Sequence, residues 1–182
     1  MDTRMPRRPL ASALPIVALL LLMSGPLDGQ AAAGADGTIV IAVRHAERAD
    51  DGGDAARDPA LSDIGGERAR CLAHTLADAG LTRVFSTDYI RTRSTARPVA
   101  EALGLEVEPY DPRALDTFAQ DLRDAGGVIL VVGHSNTTPS LVEALNGDPV
   151  APIEEDEYDR LYTVFLTGDG ARSTLTRYCP TG

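Results

Sequence analysis

The 182-residue chain contains no lysine and no tryptophan, and it has only two cysteines and three histidines. All 17 basic side chains are therefore arginine, so every side-chain cation that does not titrate near neutrality is a planar guanidinium rather than a point charge. The spacing of Cys71 and Cys179 excludes the common zinc and C-x-x-C redox patterns. The longest apolar run, Leu10 to Met23, has about 14 residues, short of the roughly 20 that a membrane span needs. No cysteine follows that run closely, which argues against a lipoprotein anchor. The net charge of −10 argues against nucleic acid and anionic membranes as partners. No internal repeat and no second domain is visible.

What is present begins with a leader. Arg4, Arg7 and Arg8 precede the apolar run, and Ala31, Ala32 and Ala33 follow it as a small-residue cleavage site. This is the pattern of a secretory signal peptide over residues 1–33, with residues 34–182 as one exported domain, periplasmic or secreted; an uncleaved anchor is the alternative. Without the leader, 14 basic face 25 acidic side chains. Export permits a disulfide, and the presence of only two cysteines makes Cys71–Cys179 the one possible intrachain pair. Burial of Cys71 on its helix is the competing explanation.

Two short apolar runs, Ile39–Val43 and Val128–Val132, read as buried parallel strands. The first runs into Arg44-His45 and the second into Gly133-His134. Between and after them the pattern alternates. A helix is predicted from Ser62 as N-cap to Gly80, with Ile64, Ala69, Leu72, Ala73 and Leu76 on its apolar face and His74 as a structural residue. Further strands are predicted at Arg83–Ser86 and Leu105–Val107. Helices follow each of these, the second over Ala114–Asp124, and another starts with Thr138 as N-cap and Pro139 at its first helical position. Leu161–Thr167 and Ser173–Tyr178 form a hairpin around Gly168-Asp169-Gly170. The expected fold is α/β: a mostly parallel sheet with helices on both faces and an antiparallel hairpin at the C-terminal edge.

Ligands of open α/β sheets bind beyond the carboxyl ends of the strands, where His45 and His134 would meet Arg44 and Arg91. Two guanidinium forks match phosphate oxygens in pairs. At an effective dielectric near 20, like charges about 4 Å apart repel by roughly 4 kcal/mol, so the empty cluster favours an anion and keeps imidazole neutral.

The segments V-R-H-A-E-R, L-S-D-I-G-G-E-R-A, F-S-T-D-Y-I-R-T-R-S-T-A and V-V-G-H-S-N-T, in this order, resemble the successive signatures of the histidine phosphatase superfamily, which includes the cofactor-dependent phosphoglycerate mutases. The likeness is greatest to a short branch with exported members. It implies a phosphoglycerate mutase-like fold, phosphomonoester hydrolysis without metal or cofactor, and a phosphohistidine on His45. Arg44 and Arg91 would clamp the phosphoryl group and His134 would complete the pocket. Arg48 would either add a phosphate contact or face solvent. The substrate would be a phosphorylated small molecule or protein. Ala46 replaces the family's commoner glycine, and the Gly- and Trp-containing segment that carries the mutase-like acid is missing. For the general acid the resemblance leaves Asp111, favoured, with Glu108 and Glu47 as alternatives; Ser135 stands where another branch has Asp. A metallohydrolase built on His45, Glu47, His134 and one of Asp50, Asp51 or Asp54 is a competing reading, opposed by the arginines. A phosphate-binding module without turnover is another. A mutase would need a lid that the short connections do not supply. The sequence leaves the oligomeric state open.

Overall fold

The structure is a computed structural model that describes Met1, residues 37–49 and residues 57–179. The leader and the carboxylates Asp50, Asp51 and Asp54 lie outside the described residues. Ten elements follow in order: β1 (Thr38–Arg44), α1 (Asp63–Thr75), β2 (Leu81–Ser86), α2 (Ile90–Leu103) and β3 (Val107–Pro109), then α3 (Leu115–Ala125), β4 (Gly127–Gly133), α4 (Thr137–Asn146), β5 (Arg160–Thr167) and β6 (Gly170–Arg177). They build a single sheet in the order β3-β2-β4-β1-β5-β6. The four strands from β3 to β1 are parallel, and β5 and β6 add the antiparallel hairpin.

β1 and β4 pair along their whole length, from Thr38 opposite Gly127 to Arg44 opposite Gly133. Their unbroken apolar runs are explained by burial on both faces. Val40, Ala42, Ile129 and Val131 pack on the side that holds Phe118, Leu122, Leu141 and Leu145 of α3 and α4. Ile41, Val43, Leu130 and Val132 pack on the side of Leu72, Leu76, Ala96 and Val99 from α1 and α2. Each such aliphatic side chain contributes about 1.5–3 kcal/mol by leaving water, which fixes the strand ends that carry the polar residues.

The start of α1 is set by one close approach. Ser62 Oγ accepts from Gly65 N at 3.1 Å, and Ser62 N donates to the Glu47 carbonyl at 2.9 Å. A Cβ on Gly65 would lie 2.0 Å from that same carbonyl, so only glycine lets the helix sit against the segment after β1. Gly65 faces this seam and Ile64, predicted on the apolar face, is turned about 100° away from it and is 57% exposed. The helix also stops at Thr75 rather than Gly80; a turn fills the interval and Gly80, with φ +70°, leads into β2.

Two other boundaries move for identifiable reasons. Leu105, predicted to open a strand, donates its N–H to Ala100 O at 2.9 Å and so completes the stop of α2 around left-handed Gly104. β3 therefore begins at Val107 and includes Glu108 and Pro109. The N-cap of α4 is Asn136, not Thr138. The two threonine hydroxyls that follow are used elsewhere: Thr137 Oγ1 accepts from His134 N at 2.9 Å, and Thr138 Oγ1 donates to Val43 O at 3.2 Å. Pro139 is therefore the third helical residue rather than the first, still within the first turn, where a backbone N–H has no intrahelical partner to lose.

Cys71 and Cys179 are bonded, with Cα atoms 6.2 Å apart. Beside this link Arg68, itself buried, grips Glu47 through Nε and Nη2 at 2.9 and 2.7 Å and donates Nη1 to Cys179 O at 2.7 Å. The C-terminal end of the described chain is thereby tied to the segment after β1.

Candidate active site

The parallel register brings the two histidines level. Arg44 lies opposite Gly133, and His45 N donates to Gly133 O at 2.9 Å, so His45 and His134 leave adjacent strands at one depth. A Cβ on Gly133 would come within 2.8 Å of the Tyr110 hydroxyl and 2.9 Å of Thr137 Oγ1, which explains glycine before the second histidine. The imidazole centroids are 5.5 Å apart and nearly perpendicular. Both rings line a cavity of about 500 Å3, together with Arg44 and Arg91.

His45 is 5% exposed, and its Nδ1 lies 2.7 Å from the Ala46 carbonyl. A carbonyl can only accept, so Nδ1 carries the proton and Nε2 keeps its lone pair. Burial, reinforced by the Arg44 and Arg91 charges and by His134 and opposed by the Ala46 hydrogen bond, pushes its pKa down to about 3. Burial, with Arg91 and then Arg44, lowers His134 to about 4, against a small opposing pull from Asp58. Both rings are neutral at pH 7. The loop that holds His45 is pinned by Ala46 N, which donates to Thr95 Oγ1 at 3.0 Å, while Thr95 donates to Arg91 O at 2.8 Å.

A chain of hydroxyls orients His134. Thr92 Oγ1 donates to the carbonyls of Thr87 and Tyr89 at 3.0 and 2.9 Å. Its proton is thus used, so the 2.9 Å contact with Thr87 is donated by Thr87. Thr87 Oγ1 is then left to accept from His134 Nε2 at 3.0 Å. Thr87 and Thr92 are fully buried. Sequence reasoning missed them because a buried threonine carries no spacing signature of its own.

The two arginines are held differently. Arg44 Nη1 donates to the carbonyls of Glu154, Glu155 and Glu157 at 2.8, 3.0 and 3.0 Å, and Cζ sits 4.0 Å from the centroid of the Tyr158 ring. Arg91 Nη1 meets Asp58 Oδ1 at 3.2 Å. Both oxygens of Asp58 also accept from Ile90 N at 3.0 Å, which caps α2 where the N-cap residue Tyr89 has no capping side chain. Asp58, to which sequence reasoning gives no role, is thus part of the arrangement. Nε of Arg44 and Nε of Arg91 are buried without a partner among the described residues, and Nη2 of each makes no hydrogen bond there. The Nη2 donors left over in this way are what an anion in the cavity would satisfy. Arg48 and Arg113 add positive charge at the exposed rim of the same cavity.

The candidate acids do not join this group. Asp111, the favoured one, lies outside the cavity lining: its carboxylate takes Nε and Nη2 of Arg113 at 3.0 and 3.1 Å, and that pairing lowers its pKa. Glu108 is on β3, in a two-pronged pair with Arg83 that lowers its pKa likewise. Glu47 is held by Arg68 beneath the His45 loop. Each of these three carboxylates has an arginine of its own. Glu155, to which sequence reasoning gives no role, lines the cavity, and it is the only carboxylate among the described residues that does. No group of three or more His, Cys, Asp or Glu among the described residues is placed to hold a metal ion.

Residues 40–113 match the family described as the histidine phosphatase superfamily, branch 1. No curated protein matches the chain in sequence. Among solved structures, the chain is similar to the protein histidine phosphatase SixA complexed with tungstate, at 22% identity and TM-score 0.60, over 77% of this chain and 95% of that one. It is similar to an Escherichia coli protein proposed to be an α-ribazole-5'-phosphate phosphatase, at 15% identity and TM-score 0.63, over 81% and 99%. A mycobacterial glucosyl-3-phosphoglycerate phosphatase follows at 14% identity and TM-score 0.56, over 80% and 100%. These likenesses show the fold, which is the phosphoglycerate mutase-like arrangement that the family resemblance implies.

Proposed function

We propose that this chain is a histidine phosphatase that hydrolyses phosphomonoesters by way of a phosphohistidine on His45. The observation that carries the reading is the His45 ring itself: Nδ1 is spent on the Ala46 carbonyl, and Nε2 remains an unprotonated nucleophile beside two arginines with unused donors. The family match over residues 40–113 supports it. The ester phosphorus is attacked by Nε2, an N–P bond forms and the O–P bond to the leaving group breaks. Charge on the equatorial oxygens of this loose transition state is met by Arg44 and Arg91. A dianion in the cavity turns their repulsion of His134 into a favourable field, so His134 takes up a proton and donates from Nδ1 while Nε2 stays on Thr87. Water then attacks the phosphohistidine, breaks the N–P bond and releases inorganic phosphate.

The reading includes export. The leader pattern and the Cys71–Cys179 bond both suit an oxidising compartment, and the mass of protein recovered from outside the cytoplasm tests cleavage after Ala33. Substrates are phosphorylated small molecules or proteins; the acidic net charge argues against nucleic acid and membrane partners.

The test is turnover of an aryl phosphate in excess chelator, with acid quenching and phosphohistidine detection during turnover. Wild type should turn over and carry label on His45, and His45→Ala should lose at least about a thousandfold, the scale of losing a nucleophile. Undiminished activity of His45→Ala would end this reading. Phosphate binding without turnover would favour the binding module, and activity abolished by chelator and restored by metal would favour the metallohydrolase.

A further inference from the structure

The segment between α4 and β5 contains four consecutive acids, Glu154 to Glu157, yet one of them is placed unlike the rest. Glu157 is held by Arg160 and Arg177, and Asp159 by Arg177. Glu155 makes no side-chain hydrogen bond or ion pair among the described residues; it is part of the lining of the cavity of His45 and His134, exposed at its lip, and its charge acts on Arg44. Its backbone is not free to drift: the Glu155 carbonyl accepts from Arg44 Nη1, as do the carbonyls on either side at 154 and 157. Tyr158, stacked on Arg44, has its ring centroid 6.2 Å from that of His45. The residue preceding the nucleophile thus bolts the root of Glu155 to the pocket. Glu47, Asp58, Glu108 and Asp111 are all engaged by other arginines.

We propose that Glu155 is the catalytic proton-transfer residue of this site; the proposal rests on the phosphatase reading above. In the first step the Glu155 carboxyl gives its proton to the leaving oxygen as the O–P bond breaks and the N–P bond to His45 forms. In the second step the Glu155 carboxylate takes a proton from water as its oxygen bonds to phosphorus and the N–P bond breaks. His45 and the carboxyl are returned to their starting states.

Rates for a series of esters whose alcohols range from nitrophenol to a simple alkanol decide the matter in the intact, disulfide-bonded protein. For Glu155→Gln, kcat/KM should fall less than about threefold for the activated aryl ester and roughly 100-fold or more for the alkyl ester, because only the second leaving group needs a proton. Phosphohistidine should also accumulate in this variant with the aryl ester, since water has lost its base. Glu155→Asp should recover part of the alkyl rate. An equal loss across the series, or a change in KM alone, would overturn the role of Glu155 while wild type still forms phosphohistidine. Failure of wild type to form any phosphohistidine would overturn the phosphatase reading and the role of Glu155 with it.

Discussion

At the floor of the cavity, Arg44, His45 and Arg91 are largely buried and cross-braced to three strand ends and to a run of buried threonine hydroxyls. At its lip, residues 111–113 and 154–158 come from connections between elements, and Arg113 is 88% exposed and meets its partner Asp111 in water. The floor is fixed by the sheet and leaves unused donors; the lip is fixed by a few side-chain-to-backbone bonds and places one unpaired carboxylate, Glu155, in the cavity lining. Chemistry that depends on sub-ångström placement belongs to the first, and adjustment to a particular leaving group belongs to the second.

The largest effect that separates the two is the exchange of arginine for lysine. Arg44→Lys and Arg91→Lys should each lower kcat/KM by roughly 100-fold or more, because a point charge cannot replace a two-pronged donor set in a dry site. Arg113→Lys should cost less than about threefold. Steady-state kinetics on one aryl phosphate compares all three, and equal losses at floor and lip would dissolve the distinction.

Acid stability gives a second, smaller contrast. His45 and His134 are held to about 3 and 4, below the ordinary value of 6.5. As pH falls through 6.5 the unfolded chain therefore takes up protons that the folded chain does not, and stability is lost down to the folded values. For His45 the loss between pH 6.5 and 4.5 is about 2–3 kcal/mol. Urea unfolding at pH 7 and 4.5 should show His45→Ala to be less acid-sensitive than wild type by about that amount, whereas Asp111→Asn should not reduce acid sensitivity. Parallel pH dependence of His45→Ala and wild type would contradict the buried, neutral state of this ring.

The smallest expected change is that of Asp111→Asn on activity, less than about twofold for activated and poor leaving groups alike, since its carboxylate faces Arg113 and solvent. A selective loss on poor leaving groups would return Asp111 to the site.

The same division decides what could be read from the sequence. Buried strands announce themselves as apolar runs, and the polar residues that follow them, Arg44-His45 and His134, lie where parallel strands must end. The helix at Ser62 was legible because its cap and glycine are local. Glu155 was not, because its position depends on a hydrogen bond from Arg44, 111 residues away in sequence, that no spacing records. Glu108 looked available for the converse reason: Arg83, which pairs with it, is an ordinary surface residue until the fold sets β2 beside β3, whereas Asp111 is taken by Arg113 two residues along. Leu105 and Thr138 mislead at element ends because each is claimed by a neighbour's unsatisfied group.

In covalent terms the Cys71–Cys179 bond divides the chain into a ring and a thread. The ring runs from within α1 to the end of the hairpin and contains every strand except β1. By the chain-entropy account, closing 108 residues stabilises the ring by roughly 4–5 kcal/mol. None of that restraint acts directly on the thread. Yet the thread supplies the middle of the sheet: β1 lies between β4 and β5, both of which belong to the ring. Arg44 and His45 are therefore carried on an inserted plug, secured by two ladders and its own buried valines, while His134 and Arg91 are carried by the socket. A cut between β1 and α1 would turn the chain into two pieces, each of which holds only half of the pocket.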